Sequence, residues 1–191
     1  FAGKGASDLL RPRLASRELV RIAALYVAVS LVIFLIVYLL GIDGPYSFSR
    51  NDDSTVHLSL TRGFMDTGTF STLHTSSFLD QDLDSTGYYP AAWHVVCALL
   101  ASITGGSVAL SFNASITVFL ALAFPLGMLC LFEKVFRRDK PVIIAGSILV
   151  LAFCGFPWGF VVWGQLLPNM AAFIFVPAVL AAFAGIPDAT R

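Results

Sequence analysis

The chain has 191 residues, of which 57% are hydrophobic and 13% charged, and its 12 basic and 12 acidic side chains give a formal net charge of zero. Soluble domains carry about 25% charged residues, so the composition excludes an ordinary soluble domain and points to an integral membrane protein. With no basic stripe interleaved with aromatics, no nucleic-acid partner is expected, and the lipid bilayer is the first partner.

The charges are segregated. Lys4, Arg11, Arg13, Arg17 and Arg21 precede the first apolar run, while Asp43, Asp52, Asp53, Asp66, Asp80, Asp82 and Asp84 follow it. Positively charged flanks stay in the cytoplasm, so the amino terminus is expected inside and the acidic segment outside. Residues 1–21 read as a basic cytoplasmic segment, with a short surface helix from about Ser16. Phe1 is not a natural start, so trimming is expected at the amino terminus, and the other end is open to the same reading. Residues 22–42 contain no charge and are long enough to span, at about 20 residues per crossing. Asp43-Gly44-Pro45 ends this first span.

An outer loop is expected over 43–106. Within it, Val56, Leu60 and Phe64 recur at helical spacing, which predicts an amphipathic helix near 52–66 with Gly68 as its cap. Thr69 to Gly87 is rich in Ser, Thr and Asp and reads as a loop. A second helix is expected near 90–104, opened by Pro90. Its roughly 22 Å falls short of the ~30 Å hydrocarbon core, so it is expected to be re-entrant or juxtamembrane. The second span is expected at 107–132, broken by Pro125; a basic turn follows at 133–140. Residues 141–163 read as the third span and an outer turn, with Trp158 and Trp163 in the interface belt, and 168–185 as a fourth span containing Pro177, before a polar tail at 186–191. The expected fold is therefore an all-α integral membrane protein with about four transmembrane helices and a long outer loop. Cys97, Cys130 and Cys154 lack metal or redox spacing and are expected to be small core residues.

Chemistry is concentrated at Asn51-Asp52-Asp53-Ser54-Thr55-Val56-His57. A helix starting near Asp52 puts Asp53 and His57 at i and i+4, on one face. A carboxylate and an imidazole on one face can share a proton, a metal or a substrate hydroxyl. An acidic pair at a helix start is equally at home as a cap. His57 and His94 can donate to an anion or a hydroxyl, or each can make one structural hydrogen bond. Arg50 and Arg62 suit phosphate contacts or plain solvation. Gln165 and Asn169, flanking Pro168, can bind ligand hydroxyls or terminate helices. Asn113-Ala114-Ser115 matches a glycosylation acceptor but falls inside the second span and is set aside.

A first span, an outer loop opening on Asn51-Asp52-Asp53 with His57, a helix, and then Tyr89-Pro90-Ala91-Ala92-Trp93-His94: this order resembles the GT-C glycosyltransferases. Among them it resembles actinobacterial cell-envelope arabinosyl- and mannosyltransferases and protein O-mannosyltransferases. The second motif is similar to a Tyr-Pro-Pro-Gly-Trp-His segment, with Ala91 and Ala92 in place of Pro-Gly. The resemblance covers roughly residues 20–185, which would be the amino-terminal, incomplete part of such an enzyme, expected to be inactive alone. It implies an inverting transfer of sugar from a polyprenyl-phosphate donor to a cell-envelope glycan or protein acceptor, on the outer face of a bacterial plasma membrane. Under it, Asp53 or Asp52 is the catalytic base, with the shared face of His57 favouring Asp53. The other carboxylate, Asp52, can hold a divalent cation (Mg or Mn). His57, His94, Arg50, Tyr89, Gln165 and Asn169 are the implied substrate-binding residues. The alternative is a transporter or assembly subunit that handles lipid-linked saccharide without catalysis, or a non-catalytic scaffold.

Overall fold

A computed structural model of the chain describes residues 17–50, 52–75, 88–136 and 139–189, with the backbone alone at Asp52 and at 186–189. Segment 1–16, Asn51 and most of the expected Ser/Thr/Asp-rich loop lie outside the described residues. Among the described residues every regular element is helical and none is a strand.

The helices in chain order are α1 (Arg17–Phe34), continued by a π-helical stretch over Leu35–Leu39, then α2 (Asp52–Thr67), α3 (Ala92–Thr104) and α4 (Val108–Thr117). A π-helical stretch, Val118–Ala123, joins α4 to α5 (Phe124–Val135); α6 (Lys140–Leu149), a third π-helical stretch over Cys154–Trp158, α7 (Gly159–Val161), α8 (Leu167–Phe173) and α9 (Val176–Ala189) complete the set. Four stretches, Arg17–Leu39, Val108–Val135, Lys140–Val161 and Leu167–Gly185, are long and apolar enough to cross a membrane. That is the signature of a multi-pass membrane protein.

The first span starts at Arg17 rather than at the charge-free run, because Arg, Glu and Leu are good helix formers whatever their polarity. Pro125 does not break the second span. The π-helical stretch ends just before it, and widening the helix there accommodates a residue that has no N–H to donate and crowds the preceding turn. The third stretch is interrupted, since α6 ends at Leu149 and Phe156 is extended (φ −133°, ψ 132°). Helix α3 begins at Ala92, so Pro90 precedes the helix instead of opening it. Gly68 and Gly105 follow α2 and α3 at φ +67°, the left-handed conformation that ends a helix at little cost for glycine.

The chain divides into two compact units. One consists of residues 17–34, 119–153 and 173–189, in which α5 packs on α1, α6 and α9, and α1 also packs on α6. Tyr26 of α1 donates a buried hydrogen bond to the Ile143 carbonyl of α6. A Cβ added at Gly146 would overlap the Phe132 ring and the Tyr26 hydroxyl, so these helices approach through a glycine. Cys130 and Cys154 are exposed, contrary to the expectation of core positions, and only Cys97 is buried. In a membrane protein an apolar stretch presents apolar faces outward as well as inward, so hydropathy alone does not mark a core.

The other unit consists of residues 35–118 and 154–172. Helix α3 packs on both α2 and α4, and α2 on α4. Its apolar centre includes Phe64 of α2, Ala91, and Ala98 of α3, with Met65, Tyr89 and Val95 around them. The polar side chains singled out in the sequence lie in this unit.

Candidate functional site

The buried side of α2 carries both kinds of residue: Leu60 and Phe64 are apolar, Ser54, His57 and Thr61 are polar, and Asp53 in the first turn is exposed. Opposite the first turn lies the segment joining α7 to α8. Gly164 and Gln165 both have positive φ there, +82° and +30°. The second value is uncommon for a residue with a side chain and persists only where surrounding bonds fix it.

Those bonds are visible. The Gln165 carbonyl accepts from the Leu167 N–H at 2.9 Å and from His57 Nε2 at 2.6 Å, while its side-chain Oε1 accepts from the Ser54 hydroxyl at 2.6 Å. His57 Nδ1 in turn lies 2.8 Å from His94 Nε2 of α3. His94 is fully buried, with the Tyr89 ring edge-on at 5.5 Å and the Phe112 ring at 6.5 Å. Gln165 itself is 97% buried.

Asp53, His57, Tyr89, Gly164, Gln165 and Asn169 are among the residues lining one open cleft of about 120 Å³. A Cβ built on Gly164 would stand 3.8 Å from Asp53 Oδ2, which sets how near the backbone turn comes to the carboxylate.

The electrostatics separate the groups. Burial pushes the His94 imidazole down to about 3, helped by the neighbouring His57 and opposed in part by the Ala91 carbonyl. That carbonyl already accepts the Val95 N–H at 2.9 Å, and His94 Nδ1 makes no hydrogen bond among the described residues. Burial also lowers His57, against the Gln165 carbonyl and the Asp53 charge, which favour its protonated form. The Tyr89 phenol is raised, first by burial and then by the Asp53 charge, so it stays a donor at neutral pH.

Not every singled-out residue belongs to this cleft. Arg50 lines a second one of about 600 Å³ together with Tyr38, Asp43, Tyr46 and Phe48. Arg62 pairs with Asp66 one turn on, at 2.9 Å on the exposed face of α2, and is spent on that pair. The Asp52 side chain lies outside the described residues. A residue set aside in the sequence proves structural: buried Asn113 of α4 donates through Nδ2 to the carbonyls of Pro45 (2.8 Å) and Ser47 (2.7 Å) and accepts from the Tyr38 hydroxyl at 3.3 Å. It pins the turn that walls the second cleft. A buried amide within an apolar span was the available signal.

The described donors do not make a divalent-cation site. No group of three or more His, Cys, Asp or Glu side chains is gathered for one among the described residues. Both His57 nitrogens are engaged by His94 and Gln165, which leaves Asp53 as the described carboxylate at the cleft. A hard cation asks for several oxygen ligands.

The chain belongs to DUF6541, described as a family of unknown function, which matches residues 3–191. No curated protein and no solved structure matches it.

Proposed function

We propose that this DUF6541 member is a membrane glycosyltransferase of GT-C type, moving a sugar from a polyprenyl-phosphate donor to a cell-envelope acceptor, with Asp53 as general base. The supporting observation is convergence: Asp53, His57, Tyr89, Gln165 and Asn169, which lie as many as 116 positions apart (169 − 53), line one cleft. Asp53 is exposed at that cleft and can reach an incoming hydroxyl. As the acceptor oxygen attacks the anomeric carbon, Asp53 takes its proton, the bond from that carbon to the phosphate oxygen breaks, and the lipid phosphate leaves with the electron pair. Attack opposite the leaving group inverts the anomeric centre. Tyr89 and Asn169 supply donors for sugar hydroxyls or the phosphate, and Tyr89 keeps its proton beside the carboxylate. Under this reading the cleft faces the outside of a bacterial plasma membrane and the amino terminus lies in the cytoplasm.

The test uses the full-length protein in nanodiscs with a panel of polyprenyl-phosphate sugars and candidate acceptors. Wild-type protein is expected to consume a donor, and Asp53→Asn to slow consumption by about 10²–10⁴-fold, the usual contribution of a positioned base. Binding without consumption, in wild type and variant alike, would replace this reading with that of a subunit that carries lipid-linked saccharide.

A further inference from the structure

The two buried histidines form a directed chain whose end is the backbone of the cleft. The Gln165 carbonyl can only accept, so the 2.6 Å contact puts the proton on His57 Nε2. A neutral His57 then has a bare Nδ1, and the 2.8 Å contact requires His94 Nε2 to donate to it. His94 Nδ1 is left bare, which agrees with its burial without a partner among the described residues. Every hydrogen in this chain has one place to be.

We infer that His94 and His57 are positioning residues: together they hold the Gly164–Gln165 turn against the first turn of α2 as a wall of the Asp53 cleft, and neither takes a proton from a substrate. His57 cannot act as base through Nε2 without releasing Gln165, and its Nδ1 is covered by His94. A single added proton would fill the bare His94 Nδ1, letting the inner hydrogen sit on either imidazole, and would leave the bond to Gln165 in place. A second would set two N–H groups against each other across 2.8 Å. The groups facing the pair are Asp53 on α2, the Tyr89 phenol, the apolar Phe112 ring of α4 and the Gln165 carbonyl. Among them the negative charge is that of Asp53, which favours a charged His57; burial opposes it and prevails. The Ser54 hydroxyl anchors the Gln165 side chain independently, so the turn is held at two points, its carbonyl and its amide oxygen. This assignment rests on geometry and does not depend on the reaction proposed for the cleft.

The experiment combines nitrogen-15 NMR of histidine-labelled full-length protein in nanodiscs with hydrogen exchange over residues 162–169. In wild type, His57 is expected as the Nε2–H tautomer at pH 7, and neither buried histidine should titrate near 6.5. His94→Gln can still donate from its amide nitrogen and should keep both the tautomer and the protection. His94→Leu fills space without donating. It should let His57 titrate and raise exchange in 162–169 by about tenfold, the size of one lost buried hydrogen bond. An Nδ1–H tautomer in wild-type His57, or exchange in 162–169 that is indifferent to His94→Leu, would overturn the assignment. The wild-type tautomer is informative even if every variant unfolds.

Discussion

In the unit built from α1, α5, α6 and α9, the buried polar side chains among the described residues are Ser30 and Ser147, and close approach through Gly146 sets the packing. In the unit built from α2, α3, α4, α7 and α8, Ser54, His57, Thr61, His94, Ser111, Asn113, Ser115 and Gln165 are all buried. Several of them, including His57, His94, Ser54 and Gln165, bond to one another or to a distant carbonyl. Apolar packing tolerates exchange among shapes of similar volume, whereas a buried polar network has one satisfied arrangement and penalises every other. The second kind of interior suits a place where backbone and carboxylate must be held to a fraction of an ångström. The first suits a scaffold whose outward faces meet lipid.

The largest effect that separates the two should be kinetic. Asp53 is exposed, so Asp53→Asn should leave unfolding unchanged while, under the proposed function, reducing donor turnover by about 10²–10⁴-fold. A comparable loss of turnover from Gly146→Ala, with the fold intact, would show that the division of labour between the units is wrong.

Next comes a pH dependence carried by the polar unit. The folded state holds His94 down to about 3, while the unfolded chain binds a proton near 6.5. Between those values the unfolded state carries the extra proton, so stability is complete above about pH 6.5 and falls as pH falls. The slope is about 1.4 kcal/mol per pH unit, or about 2 kcal/mol by pH 5. His57 is lowered in the same direction and adds to the slope. Unfolding of His94→Gln measured at pH 7.5 and pH 5 should show the smaller difference.

How much of this was legible in the sequence depends on the range of the interaction. The membrane-length stretches were legible because hydropathy is a property of consecutive residues, and four such stretches are present. The spacing of Asp53 and His57 on one helical face was equally local, and α2 carries them so. The partners were not local. Nothing in the sequence says that His57 will find His94, 37 positions away, or that Ser54 will find Gln165, 111 positions away. The positive φ of Gln165 carries no signature either, because glycine precedes it and glutamine is not a residue expected there. Arg50, three residues before Asp53, lines the other cleft, beside the turn that Asn113 pins.

Two substitutions test the interiors directly, and both should cost about 1–3 kcal/mol by different routes. Gly146→Ala forces a methyl group into the Phe132 ring and the Tyr26 hydroxyl, an overpacking penalty. Asn113→Leu keeps the branched outline of the side chain but leaves the Pro45 and Ser47 carbonyls without their donor. Unfolding in detergent micelles measures both. A second-site change of Phe132 to a smaller side chain should relieve the part of the first that comes from the ring, leaving the part that comes from the Tyr26 hydroxyl. No apolar second-site change should relieve the second.

The smallest effect belongs to the one ion pair described between α1 and α6, Lys140 with Glu18 at 2.7 Å, both more than half exposed. Water screens such a pair and two long side chains must be ordered to form it, so Lys140→Ala should shift stability by about 0–1 kcal/mol, less at high salt. If removing this pair cost as much as removing the Asn113 amide, polar contacts would matter by their presence alone. The expected disparity says that burial decides: a charge that water can replace adds little, and an uncharged amide that water cannot reach holds a turn in place.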